Sequence, residues 1–455
     1  MRSEFIAPPS RSFIGSGRTL LLVALLIGIA VRVGWAILRR TPWATGESPN
    51  VAMALAQGHG FSDAFMAGQG PTAHLLPIAP AIAGAAYWLF GIRTVAAEAV
   101  LCAWSISVTF ASYALLYAIF KRLGTPRWAR IGALVFLLVA PIYTTNEVFE
   151  WRVWEGGLGL LLGNLTLYGV VRADTSQPPR WFGLWLAALP ALTFFVNPVI
   201  GLAAYAGWAL YLWRNQRTVS GIARATAATL LALALLVGPW TARNWLVMGH
   251  PIALRDDLGM ELAVANYPQA VHGDDRNKVF YDRLIAIQPY IHPIAQHAMI
   301  EAGGEVAYSQ KLGRETKAWI AANPSDFLLL CRRHLGQMTL PGTWMFMTSH
   351  GVWLPVMRSW LARTVNVLGF LGLAFALARR SSRYLYVLPF VMGPTLLYMP
   401  FQPVIRYCWL IYPALTCFAG DLVARVWLRV ARGQRRRATV SRLRPHSRPE
   451  PALAP

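Results

Sequence analysis

The chain has 455 residues, 56% of them hydrophobic and 14% charged, with 19 tryptophans and a mean hydropathy of +0.42. Soluble domains carry about 25% charged residues, so a soluble globular fold is excluded, and the period-two alternation of an outer-membrane barrel is absent. The formal net charge of +22 is gathered at the ends of apolar segments, which assigns it to helix orientation and anionic headgroups and not to nucleic acid.

Apolar runs long enough to cross the hydrocarbon layer recur and predict about ten spans. Their limits are 18–38, 96–119, 128–146, 155–171, 181–196, 198–213, 222–240, 357–378, 384–401 and 407–428. The first run, from Leu20 to Leu38, lacks a small-residue cleavage site and predicts a retained anchor. An even number of spans puts both termini on one face. Arg2, Arg11, Arg18 and the basic tail from Arg425 to Arg448 place that face in the cytoplasm, and Lys121, Arg122, Arg214, Arg217, Arg379, Arg380 and Arg383 mark the same side. All but four of the 20 acids, Glu4, Asp174, Asp421 and Glu450, fall toward the other face, where chemistry is therefore expected.

Two outer regions are large. Residues 39–95 close the first span of an N-terminal membrane half, 1–240, and contain a Pro-interrupted apolar stretch over 75–90 that predicts an interfacial helix. Residues 241–356 form the one sizeable non-membrane portion, helical around 301–322 and 324–337. The last membrane helices occupy 357–430, and the Arg-, Pro- and Ser-rich end, 431–455, predicts a disordered cytoplasmic tail. Cys102, Cys331, Cys408 and Cys417 show no CxxC and no metal spacing, so neither a disulfide nor a zinc site is expected.

The informative motifs follow in order. Glu47 stands just past the first span, followed by Leu55-Ala56-Gln57-Gly58-His59-Gly60-Phe61-Ser62, Gly70-Pro71-Thr72-Ala73 and Pro77-Ile78-Ala79-Pro80. Later come Pro239-Trp240-Thr241-Ala242-Arg243-Asn244, the run Leu254-Arg255-Asp256-Asp257-Leu258-Gly259-Met260-Glu261-Leu262 with Asn266, His292-Pro293, Gly304-Glu305-Val306-Ala307-Tyr308, and Arg406-Tyr407. In this order the chain resembles the bacterial GT-C glycosyltransferases, the membrane superfamily that includes protein O-mannosyltransferases and the aminoarabinose transferase of lipid A. The resemblance covers nearly the whole chain up to about residue 430. It departs where many members carry Asp-Glu or Asp and this chain has Gly46-Glu47, which weakens a metal assignment. Ala265-Asn266 also stands where Gly-Asn is common.

The resemblance implies an all-α polytopic protein of the bacterial inner membrane, a GT-C-like bundle with interfacial helices in the first periplasmic loop and one larger helical periplasmic loop. It implies a polyprenyl-phosphate sugar as donor and a glycolipid, cell-wall glycan or protein as acceptor. No cofactor is implied, and a divalent cation has no clear motif. Displacing a lipid phosphate from an anomeric carbon with inversion needs one base for the acceptor hydroxyl and cations for the leaving phosphate. A nucleotide-sugar donor is disfavoured, because Gly58-His59-Gly60 is neither a Walker nor a dinucleotide motif.

Glu47 is the expected base, against a role as an interfacial carboxylate at a helix start. Arg243 and Arg406 are the expected phosphate cations, against arginines that snorkel to headgroups. Arg255 is a weaker third, because Asp256 and Asp257 adjoin it. Glu155 enters a span, where a carboxylate is costly and functional by default, against a pair with Arg152. Asn244 and Asn266 join the substrate-binding set. His292 and Glu305 are candidates for the acceptor, against loop packing. Trp240 and Trp245 belong to the aromatic belt or stack on a sugar. The rival readings are a transporter or flippase, whose two-fold repeats are not visible here, a polymerase or ligase using lipid-pyrophosphate glycans, and a non-catalytic scaffold. Cleavage of a donor in detergent separates them.

Overall fold

The computed structural model describes residues 11–38, 44–176, 182–215, 218–346, 353–379 and 382–443. Arg2, Glu4, Arg217, Arg380 and the end of the tail, 444–455, lie outside the described residues. Within them the chain is helical, with one isolated bridge between Ser62 and Pro71.

The chain begins with α1 (Arg11–Leu38), passes through a short helical hairpin, α2 (Glu47–Ala56) and α3 (Ile78–Phe90), and continues in α4 (Val95–Arg122). A broken segment follows, α5 (Arg127–Val139) and α6 (Thr144–Val148), whose two arms bend by 71°. Next come α7 (Gly156–Thr175), the hairpin of α8 (Phe182–Val196) and α9 (Pro198–Asn215), and the long α10 (Val219–Met248). The outer layer holds α11 (Leu258–Ala265), α12 (Pro268–His272), α13 (Arg276–Ile287), α14 (Pro293–Glu301), α15 (Glu305–Ala322) and α16 (Pro324–Thr339). The membrane layer is completed by α17 (Trp353–Arg379), α18 (Leu388–Leu397), α19 (Ile405–Trp409) and α20 (Tyr412–Leu443).

Among the described residues, α1, α4, α10 and α17 are long and apolar enough to cross a membrane, with the bent α5–α6 segment as a fifth candidate. This differs from the spans expected from the sequence. The expected span 128–146 is the broken segment, and 384–401 contains only the ten residues of α18. The helices α7 and α9 pack against other helices. Asn164 of α7 and Trp208 of α9 are buried at these contacts, and Asn164 donates to the Ser112 hydroxyl of α4 at 2.7 Å. The last helix, α20, runs on to Leu443.

Small residues set the closest packing. On α17, a Cβ at Gly369 or Gly372 would come within 2.6 and 2.4 Å of the α20 backbone, so these glycines let the two helices approach. The four cysteines are buried and free.

Charges inside the bundle lock the broken segment. The helix α5 stops at Val139, which leaves carbonyls without amide partners. Arg32 of α1 donates to the carbonyls of Leu138 and Leu137 at 2.5 and 3.2 Å and pairs with Glu147 of α6 at 2.6 Å. The Tyr113 hydroxyl donates to the same carboxylate. A second buried pair joins Arg152 to Glu98 at 2.7 Å, and the Tyr87 hydroxyl donates to Glu98 at 2.9 Å. Arg152 is thus committed to Glu98 and leaves Glu155 to another partner.

The two outer regions share one core. Val51, Phe65 and Leu75 of the first pack with Met260, Ile287, Met299 and Leu312 of the second. They therefore lie on one face of the bundle, and the candidate site forms where they meet its helix ends.

Candidate active site

Two outer helices begin with the same local device. Gly46 and Gly304 have φ of 132° and 106°, a region open to glycine and costly for other residues. Each is followed by a buried glutamate in the first helical turn, Glu47 of α2 and Glu305 of α15, where the helix N-terminus favours negative charge.

The two glutamates then part company. Glu305 is fully engaged. It accepts from the Thr72 hydroxyl at 2.8 Å, the Ala73 amide at 2.7 Å and the Gln69 side chain at 2.5 Å. It thereby ties Gly70-Pro71-Thr72-Ala73 to α15. From the other side Arg243 donates to the carbonyls of Thr72 and Phe61 at 2.7 and 2.6 Å and lies over the Trp240 and Phe61 rings. Asn244 accepts from Arg243 at 2.9 Å and donates to the Ile252 carbonyl at 2.8 Å. Asn266 caps α11 and donates to the Pro400 carbonyl at 2.9 Å. His292 caps α14 by accepting from the Ile294 amide at 3.2 Å. The structure places these five residues, Arg243, Asn244, Asn266, His292 and Glu305, in contacts that hold the outer loops and away from the pocket described next.

Glu47, Glu155, Arg255 and Arg406 come together. They line one small pocket of about 50 Å³ with His74, Asp257, Glu261, Gln288, Tyr398 and Tyr407. A larger cavity of about 710 Å³ adjoins it, and Glu47, Trp154, Glu261, Gln288, Arg406 and Tyr407 line both.

Burial pushes Glu47 above the usual carboxylate range, against its own backbone amide and Arg406. Gln288 donates to its Oε1 at 2.9 Å, and His74 Nε2 lies 3.9 Å from the same oxygen. That second contact is not an ion pair. Burial, helped by Arg255 and Arg406, lowers His74 to about 3, so its imidazole is neutral at neutral pH.

Arg255 sits 3.1 Å from Asp257 and 3.7 Å from Glu155. Burial opposes its charge, but these acids outweigh it and hold the guanidinium protonated. Arg406 lies over the Trp154 ring at 4.6 Å, and its charge is likewise held against burial by Tyr407, Glu150 and Glu261. Burial also raises Asp257 to about 7 and raises Glu261. Tyr398 and Tyr407 stack at 4.1 Å with their planes 10° apart. Among the described residues no three His, Cys, Asp or Glu side chains converge as metal ligands. The arrangement can take a proton on a buried, basic carboxylate and hold an anion between two fixed guanidinium cations.

No family model and no curated protein matches the chain. Solved structures do. The archaeal oligosaccharyltransferase AglB from Archaeoglobus fulgidus, in complex with an inhibitory peptide and a dolichol-phosphate, is 13% identical, with 94% of this chain and 52% of that chain covered at a TM-score of 0.52. The apo form of the oligosaccharyltransferase from the same organism is 14% identical, with 93% and 52% covered at 0.52. The chain has the GT-C fold. It spans about half the length of the oligosaccharyltransferase chains it matches. ArnT from Cupriavidus metallidurans bound to undecaprenyl phosphate is 12% identical, with 91% and 78% covered at a TM-score of 0.37.

Within this GT-C fold, the pocket residues absent from the sequence-level candidates left a partial trace. Asp257 and Glu261 are four apart and so share one helix face. His74 stands beside the apolar pair Leu75-Leu76. Gln288, Tyr398 and Trp154 had no signal, because only folding brings them to Glu47.

Proposed function

We propose that this chain is a membrane glycosyltransferase that moves a sugar from a polyprenyl-phosphate carrier to an acceptor hydroxyl at the pocket of Glu47. One observation carries the reading. A carboxylate made basic by burial and a permanent cation, Glu47 and Arg406, line both a small polar pocket and a cavity of about 710 Å³. The dolichol-phosphate held by the archaeal oligosaccharyltransferase of the same fold supports a lipid phosphate as donor.

In the proposed step the acceptor oxygen attacks the anomeric carbon and its proton passes to Glu47. The bond from that carbon to the phosphate oxygen breaks, and polyprenyl phosphate leaves with the electron pair. Arg255 and Arg406 stabilise the departing phosphate, and the configuration inverts because no enzyme nucleophile intervenes. Tyr398 and Tyr407 give the sugar a stacked aromatic wall. Arg243 and Glu305 act as positioning residues, because they clamp the loop that carries His74 beside Glu47. The pocket faces the periplasm and both termini face the cytoplasm, since basic residues collect at the opposite loops.

The test is release of polyprenyl phosphate from a panel of polyprenyl-phosphate sugars by the purified full chain. Release that depends on added acceptor supports the reading. A folded protein that cleaves none of the panel, or that prefers pyrophosphate-linked glycans, sinks it.

A further inference from the structure

Two hollows join the small pocket of Glu47, and they do so through different residues. The larger cavity shares Glu47 with it. A second hollow, a groove of about 600 Å³, shares only Arg255. Arg255 does not line the larger cavity, and Glu47 does not line the groove. The Arg255 side chain keeps 27% of its surface exposed, so its pairs with Asp257 and Glu155 do not seal it.

The groove is amphiphilic. Ile252, Leu254, Leu258, Leu262 and Val306 give it an apolar floor. Leu258 is 54% exposed, an apolar surface that folding leaves uncovered. His250, Arg314 and Lys317 line the same groove and are exposed. Among the described residues no side-chain hydrogen bond or ion pair engages these three. Asp256 lines the groove as well, but its carboxyl is engaged by Glu305.

Its level is marked independently. Trp245, Leu246 and Val247, in the last turn of α10, are 64%, 85% and 48% exposed. An exposed tryptophan at the end of an apolar helix sits among lipid headgroups. His250 follows directly after α10 ends at Met248, so the groove starts where the bilayer surface lies. Its floor matches an apolar chain, and its free cations match a phosphate drawn in from that surface.

We infer that the groove seats the carrier lipid of the donor, with its phosphate toward Arg255 and its chain on the Leu254–Leu258 floor, and that the acceptor enters through the larger cavity. The inference rests on the transferase reading and decides which hollow serves which substrate. Inversion puts the base and the leaving group on opposite faces of the anomeric carbon. Glu47 borders one hollow and Arg255 the other, which is the division inversion requires.

The test uses the full chain in phosphatidylcholine nanodiscs with undecaprenyl phosphate. The photoreactive p-benzoylphenylalanine placed at Leu258 should crosslink to this carrier. Placed at Ile291, which lines the larger cavity and is 41% exposed, it should not. Undecaprenol and phosphatidylglycerol should compete for the Leu258 crosslink about tenfold less well than undecaprenyl phosphate, because one lacks the charge and the other the prenyl chain. A carrier crosslink from Ile291 and not from Leu258 reverses the hollows and overturns the inference. Equal competition by phosphatidylglycerol overturns it too, since the groove is then a seat for bulk headgroups.

A second measurement leaves the floor intact. Arg314→Gln combined with Lys317→Gln, both at exposed positions, should weaken undecaprenyl phosphate binding by about three- to tenfold in low salt. In about 1 M salt, where exposed charges are screened, the loss should shrink below about twofold. Unchanged low-salt affinity overturns the inference. If the carrier crosslinks at Leu258 but no polyprenyl-phosphate sugar is ever transferred, the seat stands and the transferase reading falls. If sugar is transferred while the carrier crosslinks only at Ile291, the transferase reading stands and the seat falls.

Discussion

Two groups of buried charges use the same residue types to opposite ends. At the break between α5 and α6, Arg32 has Glu147 at 2.6 Å, three carbonyls and the Phe110 ring. In the candidate site, Arg255 is 3.1 Å from Asp257 and 3.7 Å from Glu155, and Glu47 accepts from Gln288 beside a neutral His74. There the charges face a hollow. Removing a charge from water is costly unless its partners are close and complete. A charge packed on every side therefore belongs to the fold, and a charge loosely paired beside a cavity is available to a ligand. Arg243 belongs with the first group despite its place beside the site, because its described partners are backbone carbonyls, the Asn244 amide oxygen and rings.

This contrast can be broken most sharply at Glu47. Glu47→Gln should lower turnover by about 10²–10⁴-fold, the usual worth of a general base, while donor affinity is kept. Wild-type activity should fall as pH falls through the raised pKa of Glu47, so its acid limb should lie above the usual carboxylate range. That limb should be absent from the residual activity of Glu47→Gln. A folded Glu47→Gln protein with normal turnover would remove the site from function altogether.

The next largest effect compares two arginines. Arg32→Ala should destabilise the protein by about 3–5 kcal/mol, because it strands Glu147 in the bundle. Arg406→Ala should unfold it far less and should weaken binding of undecaprenyl phosphate by about 10–100-fold, the loss of charge-assisted hydrogen bonds. Thermal unfolding and lipid binding measured on both variants decide the point. If Arg406→Ala is the less stable of the two and binds lipid normally, the division between packed and available charges is wrong.

The smallest effect lies in the clamp between the outer loops. Burial, with Glu305 and Asp257 beside it, pushes Asp256 up to about 8. Between the unfolded value near 3.8 and that point, the folded chain holds a proton that the unfolded chain has lost. Stability should therefore be highest in acid and fall as pH rises toward 8, by on the order of 1 kcal/mol after screening. Asp256→Asn should flatten this slope of thermal midpoint against pH. An unchanged slope would show that the proton sits elsewhere.

The class of the protein was legible from its sequence because it follows from additive properties. Hydropathy marked α1, α4, α10 and α17, and Pro-interrupted apolarity marked α3. Glu47 was legible as a carboxylate at a helix start, because the pull of a helix N-terminus on negative charge is a local requirement. The count of spans was less legible. Much of α7 and one side of α9 pack against other helices, so those positions are released from the demand that makes a span visible.

The members of the site were legible only in part. Residue type and order placed Glu47, Glu155, Arg255 and Arg406 among the candidates, but gave Arg243 and Glu305 the same standing. What separates them is which groups already satisfy each charge. That depends on side chains more than a hundred residues apart, such as Thr72 beside Glu305 and Phe61 beside Arg243. By itself the sequence determined a helical membrane protein with a carboxylate and several arginines near one face. Only the tertiary structure decided which of those charges are bonded into the frame and which are left facing a cavity, because satisfaction of a buried charge is a property of its neighbours in space.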